Sequence, residues 1–203
     1  MHECRLDGPL ILAASLGLFS AVAFSGNFEK GWAAYNSLDY ASAKAEWQDL
    51  ADAGDAGAAY GMGLLYGNGF GVDMNDELAL KYYGIAAEQG HADAAFNLAV
   101  MHQNGWGVPQ SDETANKWYR LAADKGNTEA QMALGRYYAM DFLDTYDPVQ
   151  AYKWFSLAEK LGDYDAGEKR AFIASRMTAE QIREADALVA SWADAHKSMF
   201  AHD

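Results

Sequence analysis

Several residue groupings in this chain are of types that could do chemistry, and each has a plainer alternative. Gly67-Asn68-Gly69-Phe70-Gly71 has the glycine density of a phosphate-binding loop. Such a loop follows a strand and runs into Lys-Ser/Thr, because the lysine and hydroxyl complete the phosphate and metal contacts. Here no strand precedes the glycines, no Lys-Ser/Thr follows, and Gly105-Trp106-Gly107 restates the pattern 36 residues later. The stretch therefore reads as loop geometry. His102 lacks a partner at metal-ligand spacing, and His91 lies eleven residues away at a helix start. A serine hydrolase needs an activated serine, yet the chain contains neither Ser-x-x-Lys nor Gly-x-Ser-x-Gly, and no His-Glu-x-x-His for a zinc protease. Acidic pairs such as Asp163/Asp165 suit a solvated helix surface, and nothing in the sequence selects a catalytic dyad. The single cysteine, Cys4, lies ahead of the first apolar run, so the body of the chain has no disulfide and no thiolate metal site. No catalytic, metal-binding or cofactor-binding residue is expected.

The elements that must position any site follow a strict period. Gly54, Gly90, Gly126 and Gly162 fall 36 residues apart, as do Ala43, Ala79, Ala115 and Ala151, and again Ala58, Ala94, Ala130 and Ala166. The aromatic pair moves in step, from Tyr82-Tyr83 to Trp118-Tyr119 to Trp154-Phe155. A period of this length predicts a solenoid, in which no unit buries its apolar face alone and stacking supplies the core. Recurrent alanine marks where helices approach closely, recurrent aromatics fill the gaps between units, and the glycine just past a helix end closes it in the left-handed conformation. Trp47, Tyr83, Trp118, Tyr119 and Trp154 repeat with the alanine seam and read as core. His102 aligns with Tyr66 and Tyr138, so it occupies a recurring packing slot.

The blocks AAYGMGLLYGNGFGV and ALKYYGIAAEQG, AAFNLAVMHQNGWGV and ANKWYRLAADKG, and EAQMALGRYY and AYKWFSLAEKLG resemble the Sel-one-like repeat (SLR) family, relatives of the tetratricopeptide repeats. The resemblance covers Asp39 to Gly162. The third repeat departs from it: Asp141 and Leu143 stand where Gly69/Gly105 and Gly71/Gly107 stand, which predicts a different inter-helix loop. The resemblance implies an all-α, right-handed solenoid of antiparallel helix pairs, and a non-enzymatic adaptor that binds a protein or peptide on its concave face. An alternative is a cell-envelope hydrolase, since cysteine-rich SLR relatives are described as penicillin-binding or β-lactamase-like. The missing cysteines and serine motif weigh against it. A third reading is a structural subunit of an envelope complex.

Carrying over the tetratricopeptide groove positions, with Leu98-Ala99 matched to the family's Leu-Gly, selects Asp93, Phe96, Val100 and Gln103 in the middle repeat. One period back they become Gly57, Tyr60, Leu64 and Gly67; one period forward, Glu129, Met132, Arg136 and Ala139. The expected protein-binding groove is thus Tyr60, Leu64, Phe96, Val100, Gln103, Met132 and Arg136, apolar at first and ending in a cation. In the alternative reading Tyr60, Phe96 and Met132 are partly buried by the adjacent helix.

Four segments are expected. Residues 1–23 read as a signal peptide or uncleaved anchor, because Pro9 to Phe24 is almost wholly apolar or small and Ala21-Val22-Ala23 fits a small-x-small cleavage site. Residues 27–54 form a tetratricopeptide-like opening pair with a short loop at Ser37-Leu38-Asp39. Residues 55–162 hold three 36-residue repeats, and residues 163–203 form capping helices, the last opened by a capping box at Thr178-Ala179-Glu180-Gln181. The protein is expected to be exported, periplasmic or secreted, with membrane contact only if the N-terminal segment is uncleaved. A formal charge of −14 argues against nucleic acid as a partner, because both would be polyanions.

Overall fold

The computed structural model describes residues 28–140 and 144–199, all of whose regular structure is helical. The expected leader and its Ala21-Val22-Ala23 signal lie outside the described residues, as do Asp141 and Leu143. Among the described residues ten α-helices follow one another: α1 (28–36), α2 (Tyr40–Asp52), α3 (Ala56–Asn68), α4 (Asp76–Glu88), α5 (Ala92–Asn104), α6 (Asp112–Asp124), α7 (Thr128–Tyr138), α8 (Pro148–Lys160), α9 (Ala166–Ala174) and α10 (Ala179–Ala195). From α2 to α9 each helix packs on the next, giving an α-solenoid.

The starts are set by side-chain caps. Asp39, Asp55, Asn75, His91, Ser111, Asn127, Asp147 and Thr178 each accept the backbone N–H three residues on. Each cap satisfies one of the donors that a helix start leaves orphaned. The stop at Gly90 shows how the period is enforced. Gly90 takes a φ of +86°, its N–H reaches Ala87 O at 2.8 Å and the next N–H, of His91, reaches Ala86 O at 3.1 Å. That pair of bonds closes α4, and His91 then caps α5. Asp55 and Asn127 combine the same two duties, leaving no slack between repeats.

The loops within repeats are clipped as well. The N–H groups of Asn75, Ser111 and Asp147 donate to Tyr66, His102 and Tyr138 carbonyls at 2.9–3.0 Å. The third loop keeps this clip although its glycines are replaced. The replacement shows at the helix end: α3 and α5 stop on left-handed Gly69 and Gly105, whereas α7 stops two residues earlier in the repeat on right-handed Ala139.

The alanine seam is the core. Ala43, Ala79, Ala115 and Ala151 are at most 1% exposed, and Ala58, Ala94, Ala130 and Ala166 are at 0%. Rings fill the remaining space, as at Gly135, where a Cβ would meet the Phe155 ring at 2.5 Å. Trp47, Tyr83, Tyr119 and Trp154 are buried, while Trp118 is half-buried.

After α8 the period breaks. Asp163 Oδ1 accepts from Asp165 N–H at 3.0 Å and Ala166 N–H at 2.9 Å, so α9 starts at Ala166 and lasts only nine residues. The Thr178–Gln181 capping box then opens α10, which folds back over α8. Beyond it, Met199 lies against Gly126, covering the turn before the third repeat.

Candidate functional site

Three open pockets lie along the first helices of the repeats, and they are one pocket seen three times. The first, of about 240 Å³, is lined by Leu64, Gly67, Asp76, Tyr83, Asn97, Val100 and Met101, with Asn68 and Trp106 at its edge. Shifting those numbers by 36 gives Val100, Gln103, Asp112, Tyr119, Ala133, Arg136 and Tyr137. All of these line the second pocket, of about 400 Å³. A further shift reaches Arg136, Ala139, Phe155, Lys169, Phe172 and Ile173, which line the third, of about 540 Å³. Val100 is a wall shared by the first two pockets, and Arg136 a wall shared by the second and third, so the pockets form a continuous row.

Each pocket is built by the same three elements. The first helix of a repeat gives one wall, the second helix contributes a buried aromatic and, in the first two pockets, its own first residue, and the next first helix supplies the far wall. In the middle pocket the Tyr119 hydroxyl donates to Gln103 Oε1 at 2.8 Å. Burial holds the Tyr119 phenol above its ordinary range, and the nearby Arg136 guanidinium partly offsets this. Arg136 makes no ion pair among the described residues, and the same holds for Asp76 and Asp112. Unpaired charges facing an apolar concavity are what a peptide groove needs, because the ligand rather than the protein can complete them.

The predicted groove residues divide. Leu64, Phe96, Val100, Gln103 and Arg136 all line this row, as do Gly67 and Ala139. Met132 does not: it is 5% exposed and belongs to a buried cluster with Phe155, Tyr152 and Ile173. Tyr60 is half-buried between Trp32, Tyr83 and His91, and burial pushes its phenol up to about 12. Asp93 and Glu129 are exposed beside it, and Asp93 accepts from Asn127 Nδ2 at 2.9 Å, tying successive repeats together. Gly57 faces the Phe28 ring rather than the row.

Sequence reasoning missed Asp76, Asp112, Asn97, Tyr137, Met140 and Phe172. The period itself could have found the two aspartates, since they recur 36 residues apart at the first position of α4 and α6. Phe172 stands one period after Arg136 as well, but beyond Gly162, where the glycine and aromatic-pair markers of the repeat end. Among the described residues no three His, Cys, Asp or Glu side chains are grouped to hold a metal ion.

Comparison with known proteins fits this repeat geometry. The Sel1 repeat profile matches residues 56–91, 92–127 and 128–163, more than half of the chain. A solved Sel1 repeat protein from Oxalobacter formigenes is 32% identical, with a TM-score of 0.57, and the match covers 62% of this chain and 95% of that one. A protective antigen present in uropathogenic Escherichia coli strains, which displays an SLR fold, is 25% identical with a TM-score of 0.52. That match covers 91% of this chain, which spans about half (49%) of the antigen. No curated protein matches the chain.

Proposed function

The chain belongs to the Sel1 repeat family, and from that premise we propose that it is an exported, non-catalytic adaptor that holds a protein or peptide in the row of pockets along its first helices. Sel1 repeats are generally protein-interaction modules and typically non-catalytic scaffolds. The observation that carries the proposal is the recurrence of one pocket with a period of 36 residues, lined by apolar side chains together with charges that make no ion pair among the described residues. A linear ligand with regularly spaced side chains matches such a row, as in other recognition modes that read a peptide through spaced pockets. The apolar Pro9–Phe24 run supports export.

The test is capture of the native partner by crosslinking in cells, comparing the natural chain with a variant carrying Phe96→Ala and Val100→Ser. Both side chains are half-buried and line the middle pocket, so the variant should keep its helical circular dichroism and lose the partner. A folded variant that retains the same partner removes the row from consideration.

A further inference from the structure

The first pocket differs from the others in one respect that the period makes visible. Phe70 and Trp106 hold the same position in successive repeats. Phe70 is covered: it stacks on Tyr40 with ring centroids 4.8 Å apart at 12°, and Tyr35 lies 6.2 Å away. One period on, Gly71 and Asp76 stand where those two tyrosines stand, so no ring among the described residues covers Trp106, which is 51% exposed.

The loop that carries Trp106 is nonetheless held in place. Gly107 takes a φ of +68°, and a Cβ there would lie 3.0 Å from both the backbone carbon and the Cβ of Asp76. The loop is thus pressed onto the start of α4, which brings the indole and the Asp76 carboxylate to one pocket. Asn68 and Asn97 line it too, and no basic residue does. One pocket along, the equivalent Asp112 shares its concavity with the Arg136 cation. An indole face and a carboxylate that makes no ion pair among the described residues together select a cation that can lie flat on an aromatic ring. The formal charge of −14 adds a long-range field of the same sense.

We infer that the Trp106–Asp76 pocket is a subsite for a basic side chain, arginine or lysine, of an extended peptide. The inference rests on the row being a peptide groove. The first helices α3 and α5 are in contact, so the first two pockets stand roughly 8–10 Å apart, and Arg136, a wall of both the second and the third, makes the next step one of the same order. An extended chain covers that distance in about three residues. The basic residue is therefore followed or preceded, three and six residues away, by side chains for the second and third pockets, the last of them apolar to suit Phe155, Phe172 and Ile173.

The experiment selects octapeptides from a phage-displayed random library on the full chain, then measures the synthesised winners by fluorescence anisotropy. Selected peptides should share an arginine or lysine with an apolar residue six positions away. Trp106→Ala and Asp76→Asn should each weaken them by roughly threefold to thirtyfold. Replacing the peptide arginine by citrulline, or its lysine by norleucine, should cause a similar loss without altering the protein, and the two protein variants should then add little. Winners without a basic residue, still lost on combining Phe96→Ala with Val100→Ser, would overturn the subsite and leave the groove standing. Winners indifferent to Trp106→Ala, Asp76→Asn and the neutral peptide analogue would do the same. A library that yields no binder would overturn groove and subsite together.

Discussion

The imidazole of His91 lies on the phenol ring of Tyr60, with centroids 4.3 Å apart and planes inclined by 27°. In this position its Nδ1 accepts the N–H of Ala94 at 3.4 Å, capping α5. One residue therefore ends α4 through its backbone N–H, starts α5 through its ring, and packs that ring on α3 of the preceding repeat.

That arrangement has a pH dependence. Burial lowers the His91 pKa below its ordinary value of 6.5, with Asp93 pulling it partly back up. The helix start, which carries positive partial charge, also disfavours an imidazolium there. Only the neutral ring has a lone pair to cap Ala94. Because the folded pKa is the lower one, the stabilisation is complete above the unfolded pKa and is lost as pH falls through the folded value. His91→Asn, which installs the cap found at Asn127, should abolish this share of acid sensitivity. The natural chain should lose about 2–4 °C more in Tm than the variant between pH 7.5 and 5, the worth of a cap of about 1 kcal/mol. Superimposable pH curves for the two proteins would refute the role.

The alanine seam predicts a steric result. Ala94 is wholly buried, so Ala94→Leu must displace a packed neighbour, costing about 1–3 kcal/mol. Lys81 is exposed, touching Asp52 only at 4.0 Å, and Lys81→Leu should change stability by no more than about 0.5 kcal/mol. Thermal melts of the two variants decide the matter, and equal midpoints contradict the seam.

Leu38 closes α1 as the glycines close α2, α4, α6 and α8, with a φ of +65°, and it is 71% exposed. Its N–H reaches Tyr35 O at 3.0 Å and the Asp39 N–H reaches Ala34 O at 2.9 Å. A leucine in the left-handed region costs about 1–2 kcal/mol. Leu38→Gly relieves that cost and gives back part of it through a freer unfolded chain. A rise in Tm of roughly 1–4 °C is expected; a fall would show that the leucine side chain contributes a contact outweighing the strain.

Export is checked by intact mass. Protein isolated from its source cells should begin at or near Phe24, after Ala21-Val22-Ala23. Recovery of the full-length chain from the cytoplasm would rule it out.

The sequence alone determined the period, and with it most of the secondary structure. Caps and stops act over three to five residues, so Asn75, Ser111 and Asp147 before their helices, or Gly90 after one, carry their meaning locally. The alanine seam was equally readable, because a close approach that recurs every 36 residues admits only small side chains. The open face was decided by tertiary structure. Phe96 and Met132 hold the same position one period apart, yet Phe96 lines a pocket while Met132 is buried, in a cluster that reaches Ile173 beyond the last repeat. Phe70 and Trp106 make the same point in reverse, since exposure depends on whether tyrosines or Gly71 and Asp76 stand one period behind. Burial is a property of pairs of repeats. A residue's neighbours within its own repeat fix its helix, and the residues stacked on it fix whether it serves the core or the groove.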